Sequence, residues 1–341
     1  MRIGEREIGL QHPAYVIAEI GVNHDGEVSR ALELTDAAAE AGADAVKLQF
    51  FETDRLMSRA AKLAAYQKAA GETDPIAMLR RLELTLDEMA LVVERAHARG
   101  IHAIVTVFST ELVDAAETLG WDAYKTASPD IVNRPLLEAL AATGKPMIVS
   151  TGASTLDEVV RAVGWLESVR DRLVALQCVS SYPAPDAALG GIGAIGKATG
   201  LLVGYSDHTR RVETGAEAVG AGAVMLERHI TYDPRAAGPD HAASLDPGGF
   251  VRYVRGVRAA VRGSSEGRKA VLDCERDIRA LSRQSVVSVD RIVAGSVIDR
   301  GHLTIKRPGT GILAYRLDEV IGRTAARDIE GDVPIVEEDL A

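Results

Sequence analysis

From Ala14 to about Arg262 one pattern recurs eight times: a short apolar run, a polar or glycine-containing turn, then a stretch of helical spacing rich in Ala, Leu and Glu. The runs are Ala14–Ile20, Ala45–Gln49, Ile101–Phe108, Ala123–Thr126, Pro146–Ser150, Val174–Val179, Leu201–Tyr205 and Ala223–Leu226. In SRALELTDAAAEAGA, Leu34, Ala38 and Ala41 fall on one helical face. STLDEVVRAVGWLESV opens with Ser154 or Thr155 as a cap and Glu158 to close a capping box. Strands joined by helical crossovers run parallel. Eight such units in about 250 residues predict an α/β fold of the (β/α)8 TIM-barrel type. The alternative is an open doubly wound sheet. It is disfavoured because GVNHDG follows the first run, where a dinucleotide fold would carry G-x-G-x-x-G.

Two segments break the repeat. Glu52–Leu84 exceeds an ordinary barrel connection and is expected to be an extended loop or a helical lid over the mouth. After the eighth unit, a charged segment gives way at Ser285 to short β-type runs, SVVSVDRIVAGSVI, HLTIKRPGTGI and DVPIVEEDL, with helical character only at Ala314–Ile321. The domains are therefore placed at 1–265 (barrel), 266–284 (linker) and 285–341 (small and β-rich). A tail of that size makes a marginal core and should pack on a barrel, its own or a neighbour's.

The net charge of −10 disfavours nucleic acid or an anionic membrane as partner. The two cysteines, Cys178 and Cys274, cannot form a disulfide framework and fit a reducing cytoplasm, with Cys178 in its apolar run read as core. No cationic leader and no apolar run long enough to span a bilayer is seen.

In a barrel the chemistry sits at the C-terminal ends of the strands. Those positions carry Glu19, Lys47 with Gln49, Ser109 and Thr110, Lys125 with Ser128, Ser150 with Thr151, Ser180 with Tyr182, His208, and Glu227 with His229. A polar strand end is by itself unremarkable, since strands must surface into water. Lys47 and Lys125, however, lie in otherwise apolar AVKLQF and AYKTAS, where a charge needs a partner. Two lysines with several hydroxyls suit a small, highly charged anion. His208 and His229 end neighbouring strands and make half of a metal site, although each alone reads as well as a hydrogen-bonded strand cap.

The stretches AEIGVNHDG, DAVKLQFF, VFSTE, YKTAS, PMIVSTG, SYPAP, GYSDHT, LERHIT, GPDHAASLDP and KRPGTGI resemble, in order and over nearly the whole chain, the sialic acid synthase family. These are phosphoenolpyruvate-condensing synthases of nonulosonic, nine-carbon 2-keto acids with a C-terminal antifreeze-like SAF domain. The resemblance implies condensation of phosphoenolpyruvate with an open-chain N-acylated hexosamine or a diacylated dideoxy sugar. It also implies a divalent metal, manganese first with magnesium or cobalt as alternatives, on His208 and His229. Lys47, Lys125, Ser128, Ser150 and Ser180 fall where the family binds phosphoenolpyruvate, with both lysines taken as catalytic. Glu19, also taken as catalytic, joins Thr110, Tyr182 and Asp240 at the sugar end. Arg307 falls where the small domain of one subunit enters the barrel of the other in a domain-swapped homodimer.

One position departs from the family. The glutamate expected after the fourth-strand lysine and serine is Asp130, preceded by Pro129. It is expected to be the base that adds water to C2, on an altered loop path, the alternative being a cap for the following helix or a turn with Asn133. Two other readings of the whole chain stand beside this one: a Schiff-base aldolase using Lys125 or Lys47, and a non-catalytic sugar- or anion-binding barrel.

Overall fold

The computed structural model describes residues 1–260 and 269–341. A small antiparallel hairpin, β1 (Arg2–Ile3) and β2 (Arg6–Glu7), precedes the repeat. Eight parallel strands then close into a barrel: β3 (Tyr15–Glu19), β4 (Ala45–Phe50), β5 (His102–Val107), β6 (Ala123–Thr126), β7 (Met147–Ser150), β8 (Leu173–Cys178), β9 (Leu202–Asp207) and β10 (Met225–His229). β10 pairs with β3, completing the ring. The (β/α)8 expectation is met strand for strand.

Alternate residues of each strand point into the barrel and out toward the helices. The lower interior is filled by Tyr15, Ile17, Ile104, Ile148, Leu176 and Met225, with Ile3 and Ile8 of the hairpin region packed beneath them. The outward faces meet the helices in a larger core that includes Leu34, Val92, Leu137, Ile195 and Phe250. The last two strands run further than their apolar runs because charge inside the fold is paired. Arg228 on β10 and Asp207 on β9 stand opposite each other in register, fully buried, at 2.9 Å.

The Glu52–Leu84 insertion folds as three short helices, Thr53–Leu56, Ala65–Ala69 and Pro75–Leu82, over the mouth. The boundary between 265 and 266 lies outside the described residues. Beyond it, residues 273–281 form a 3-10 turn and a short helix, and β11 (Ser285–Ser288) pairs with β12 (Leu303–Lys306) in the small domain. The small domain has its own core around Val286, Ile298, Leu303, Ile312 and Ile335. No helix among the described residues is long and apolar enough to cross a membrane.

Thr155 caps the helix Leu156–Trp165 and Glu158 closes the capping box. The same Glu158 carboxylate binds Arg279 at 2.5 Å and the buried Arg283 at 2.7 Å, anchoring the segment that leads to the small domain. Although burial pushes its carboxyl up, the two arginines hold it far below the usual range. Glu158→Gln should therefore cost on the order of 2–3 kcal/mol at pH 7, less than a fully buried pair because Arg279 is partly exposed. Because the folded pKa is depressed, this contribution exists above the unfolded value of about 4.3 and fades as pH falls below it. Thermal melts of both proteins at pH 7 and pH 3.5 check this, with a gap of several degrees at the former that narrows at the latter.

Candidate active site

The inward positions of β3, β4, β6 and β10 place four charges at the heart of the barrel. Register sets Glu19 beside both Lys47 and His229. The Lys47 ammonium pairs with Glu19, lies 3.5 Å from Glu227 Oε1 and donates to Thr106 Oγ1 at 3.1 Å. Lys125 lies 3.2 Å from that same Glu227 oxygen. All four side chains are buried. Two ammonium groups out of water would be prohibitive alone, and the two carboxylates neutralise them. Burial works to raise Glu227, yet Lys125 and Lys47 keep it well below its ordinary value. Glu19 is pushed up to about 7 by burial and by Glu227, against the pull of Lys47. Burial lowers Lys125. For Lys47 the nearby carboxylates outweigh burial and raise it. Glu227 was seen in the sequence only as a companion of His229. Its alternation with His229 on one strand face was the signal that it points inward.

Beside Lys125 lies a cluster of hydroxyls. Ser128 Oγ donates to Ser150 Oγ at 3.0 Å and accepts the Gly152 N–H at 3.0 Å. A Cβ at Gly152 would collide with the Ser180 hydroxyl and come within 2.8 Å of Ser128 Oγ, so glycine alone lets the three serines converge. With Lys125 they form a cradle of donors suited to a phosphate or carboxylate.

Across the cavity stand the two imidazoles, their ring centres 5.5 Å apart. His208 Nδ1 is 2.8 Å from the Val179 carbonyl, which can only accept, so Nδ1 carries a proton and Nε2 is the nitrogen turned to the cavity as a candidate metal ligand. His229 Nδ1 is buried with no hydrogen-bond partner. Burial, reinforced by His208, holds His229 well below its ordinary value, hence neutral. Asp240 Oδ2 lies 3.9 Å from that nitrogen, and its carboxyl is raised by burial to about 6. Tyr182 stacks against His208 with centres 4.0 Å apart. Among the described residues no group of three or more His, Cys, Asp or Glu could enclose a metal. Burial opposes protonation of His208, but Cys178, the Val179 carbonyl and Glu227 outweigh it and raise that imidazole. Two facing imidazoles, one with an orphaned nitrogen, fit a divalent cation whose other positions stay open to substrate and water.

The two lysines, the two glutamates, the three serines, Tyr182, Asp240 and the two imidazoles line one cleft. Its outer wall is apolar, built from Val22, Phe51, Leu56, Met78, Leu82 and Phe108 of the first loops and the lid. Arg307 closes it from the small domain, its guanidinium 5.7 Å from the Phe108 ring centre. In this single chain Arg307 enters the chain's own barrel rather than a partner's. Its backbone pairs with the lid, N–H to the Leu56 carbonyl at 3.1 Å and carbonyl from the Ser58 N–H at 3.2 Å.

Two further expectations meet different outcomes. Thr110 is not part of the cleft: it begins a 3-10 turn outside β5 and its hydroxyl bonds Glu111. Asp130 does not itself line the cleft: it follows the lining residues Ser128 and Pro129 and is fully buried, with neither carboxylate oxygen hydrogen bonded. Its side chain does not cap the next helix, but its carbonyl accepts the Asn133 N–H at 2.8 Å, so the turn with Asn133 is formed. Asn133 caps that helix, accepting from the Leu136 N–H. Burial pushes the Asp130 carboxyl up to about 7 against the pull of Arg307 and Lys125.

A closed barrel whose strand ends gather two lysines, a serine cradle and two facing imidazoles has the make-up of an enzyme site suited to small anions. The family model for the NeuB family matches residues 34–269, and that for the SAF domain matches residues 283–341. The chain belongs to the NeuB family. It is similar to the N,N'-diacetyllegionaminic acid synthase of Legionella pneumophila, 36% identical over 99% of this chain and 97% of that protein. It is also similar to the human N-acetylneuraminate-9-phosphate synthase, 32% identical over 98% of this chain and 94% of that one. Among solved structures, the Bacillus subtilis spore coat polysaccharide biosynthesis protein SpsE superposes with a TM-score of 0.86 at 27% identity, covering 100% of this chain and 99% of that one.

An unpaired acid near pH 7 makes a sharp expectation. Asp130→Asn should lower turnover by at least about a hundredfold and abolish an activity limb that rises through about pH 7. Because the folded pKa lies above the unfolded one, the wild type loses stability as pH rises from 4 to 7 and the amide does not. The variant should thus melt higher at pH 8 and equally at pH 4. Near-normal turnover, or a lower melting temperature at pH 8, would contradict the base.

Proposed function

We propose that the protein condenses phosphoenolpyruvate with an open-chain N-acylated amino sugar and water, giving a 2-keto-3-deoxy nonulosonic acid and phosphate. The observation that carries this is the polarity of the cleft: serine cradle and lysines at one end, facing imidazoles at the other, an apolar wall and an arginine at the rim. The cradle and Lys125 hold the phosphate. Lys47 neutralises the carboxylate and orients the enol, so that C3 is aimed at the aldehyde carbon. His208 and His229 would hold a divalent cation, manganese by preference, which would supply Lewis-acid polarisation of the aldehyde. Asp130 takes the proton of the water that adds to C2, and C2 then expels phosphate. Glu19 and Asp240 face the sugar hydroxyls, Tyr182 packs along the chain, and Arg307 donates to the acyl carbonyl while the lid residues cover its methyl.

The alternative of a Schiff base on Lys125 has one observation in its favour, since burial lowers that ammonium. Its pairing with Glu227 keeps it charged and opposes the alternative. The two unpaired cysteines suit the cytoplasm. The proposal also includes a homodimer with exchanged small domains.

Phosphate release from phosphoenolpyruvate, assayed against N-acylhexosamines and diacylated dideoxy sugars, tests the reaction. Release with at least one acceptor, stopped by chelator and restored by manganese, is expected; borohydride trapping of a keto substrate with indifference to chelator would overturn it. His208→Ala and His229→Ala should each lose bound metal, measured by elemental analysis, with circular dichroism unchanged. Mixing Arg307→Ala with His229→Ala subunits tests the exchange. Recovery of activity supports it, and no recovery after verified subunit exchange places Arg307 in its own chain's site.

A further inference from the structure

Glu275 lies in the segment between the two domains, with no surface exposed to solvent. Its Oε1 accepts the Ala153 N–H at 2.6 Å and the Ser180 N–H at 3.0 Å, and its Oε2 accepts the Leu272 N–H at 2.7 Å. Ala153 and Ser180 belong to the loops after β7 and β8. One carboxylate oxygen therefore ties together the two loops that supply Gly152, Ser150 and Ser180 to the cradle. The bonds are charge-assisted, the strong kind. One of them holds Ala153 at φ +53°, a left-handed conformation that a residue with a Cβ keeps only when its surroundings impose it.

Glu275 does not line the cleft, so it grips the cradle from behind. A negative charge behind an anion site is adverse unless it is offset. Lys269, from the same segment, is 5% exposed and its ammonium has no hydrogen-bond partner. Burial lowers that ammonium, and Glu275 is the strongest of the charges opposing the shift.

We infer that Glu275 is the positioning residue of the anion cradle, so that the segment carrying the small domain also sets the affinity for phosphoenolpyruvate. The inference rests on the cradle being the phosphate site. The functional consequence is specific. Loosening Glu275 lets Ser180 and the Gly152–Ala153 turn drift from Ser128 and Ser150, which weakens the hold on phosphate without touching the sugar end.

The test is calorimetric titration of phosphoenolpyruvate, without acceptor, into the full-length wild type and Glu275→Gln, with KM for each substrate and melting curves alongside. Glu275→Gln keeps one accepting oxygen but sets an NH2 group against the Leu272 N–H. It should weaken phosphoenolpyruvate at least about tenfold and raise its KM, with the acceptor's KM within about twofold. Phosphoenolpyruvate affinity within about twofold of wild type in Glu275→Gln, or an equal loss for both substrates, overturns the inference alone. Absence of binding by the wild type overturns the reading of the cradle and this inference with it.

Discussion

The site depends on one shared carboxylate oxygen. Glu227 Oε1 lies within salt-bridge reach of both Lys47 and Lys125, which approach it from β4 and β6, the two strands flanking β5. Without it, two buried ammonium groups would repel each other and shed their protons or their burial. With Glu19 on Lys47, the four charges balance, and an incoming phosphate and carboxylate find cations already in place. Such preorganisation is costly for the fold and useful for chemistry, because nothing must reorganise when the reacting charge moves.

Around this centre the barrel keeps two chemistries apart. The serines converge only because Gly152 has no side chain, and the imidazoles face each other because β9 and β10 end side by side. The apolar lid leaves the polar groups no bulk water on one side, which strengthens every interaction beneath it. Asp130 shows the cost most plainly: a carboxyl with no hydrogen bond, held where a proton moves easily near neutral pH.

The barrel was legible because parallel strands must be apolar on both faces while helices must be amphipathic, and the alternation of the two textures survives in the sequence. Strand ends were less so. β9 and β10 continue through Asp207, Glu227 and Arg228 since their charges are paired within the fold, and a pairing across strands leaves no local trace. The lysines and histidines could be found from their apolar context, and Arg307, Asp240 and Asp130 from resemblance. Glu275 could not, because a glutamate in a charged segment looks solvated until the loops it binds are folded around it. Thr110 failed for a related reason: adjacency to a strand end does not decide which way a turn leaves the barrel. The hairpin β1–β2 stands outside the repeat, so periodicity gave no sign of the floor it helps to build.

A crystal structure of the protein with phosphoenolpyruvate and manganese would locate both ends of the site at once. Phosphate density is expected among Ser128, Ser150, Ser180 and Lys125, carboxylate density at Lys47, and an anomalous manganese peak between His208 and His229. Phosphate bound elsewhere in the cleft, or manganese away from both imidazoles, would contradict this assignment of the site.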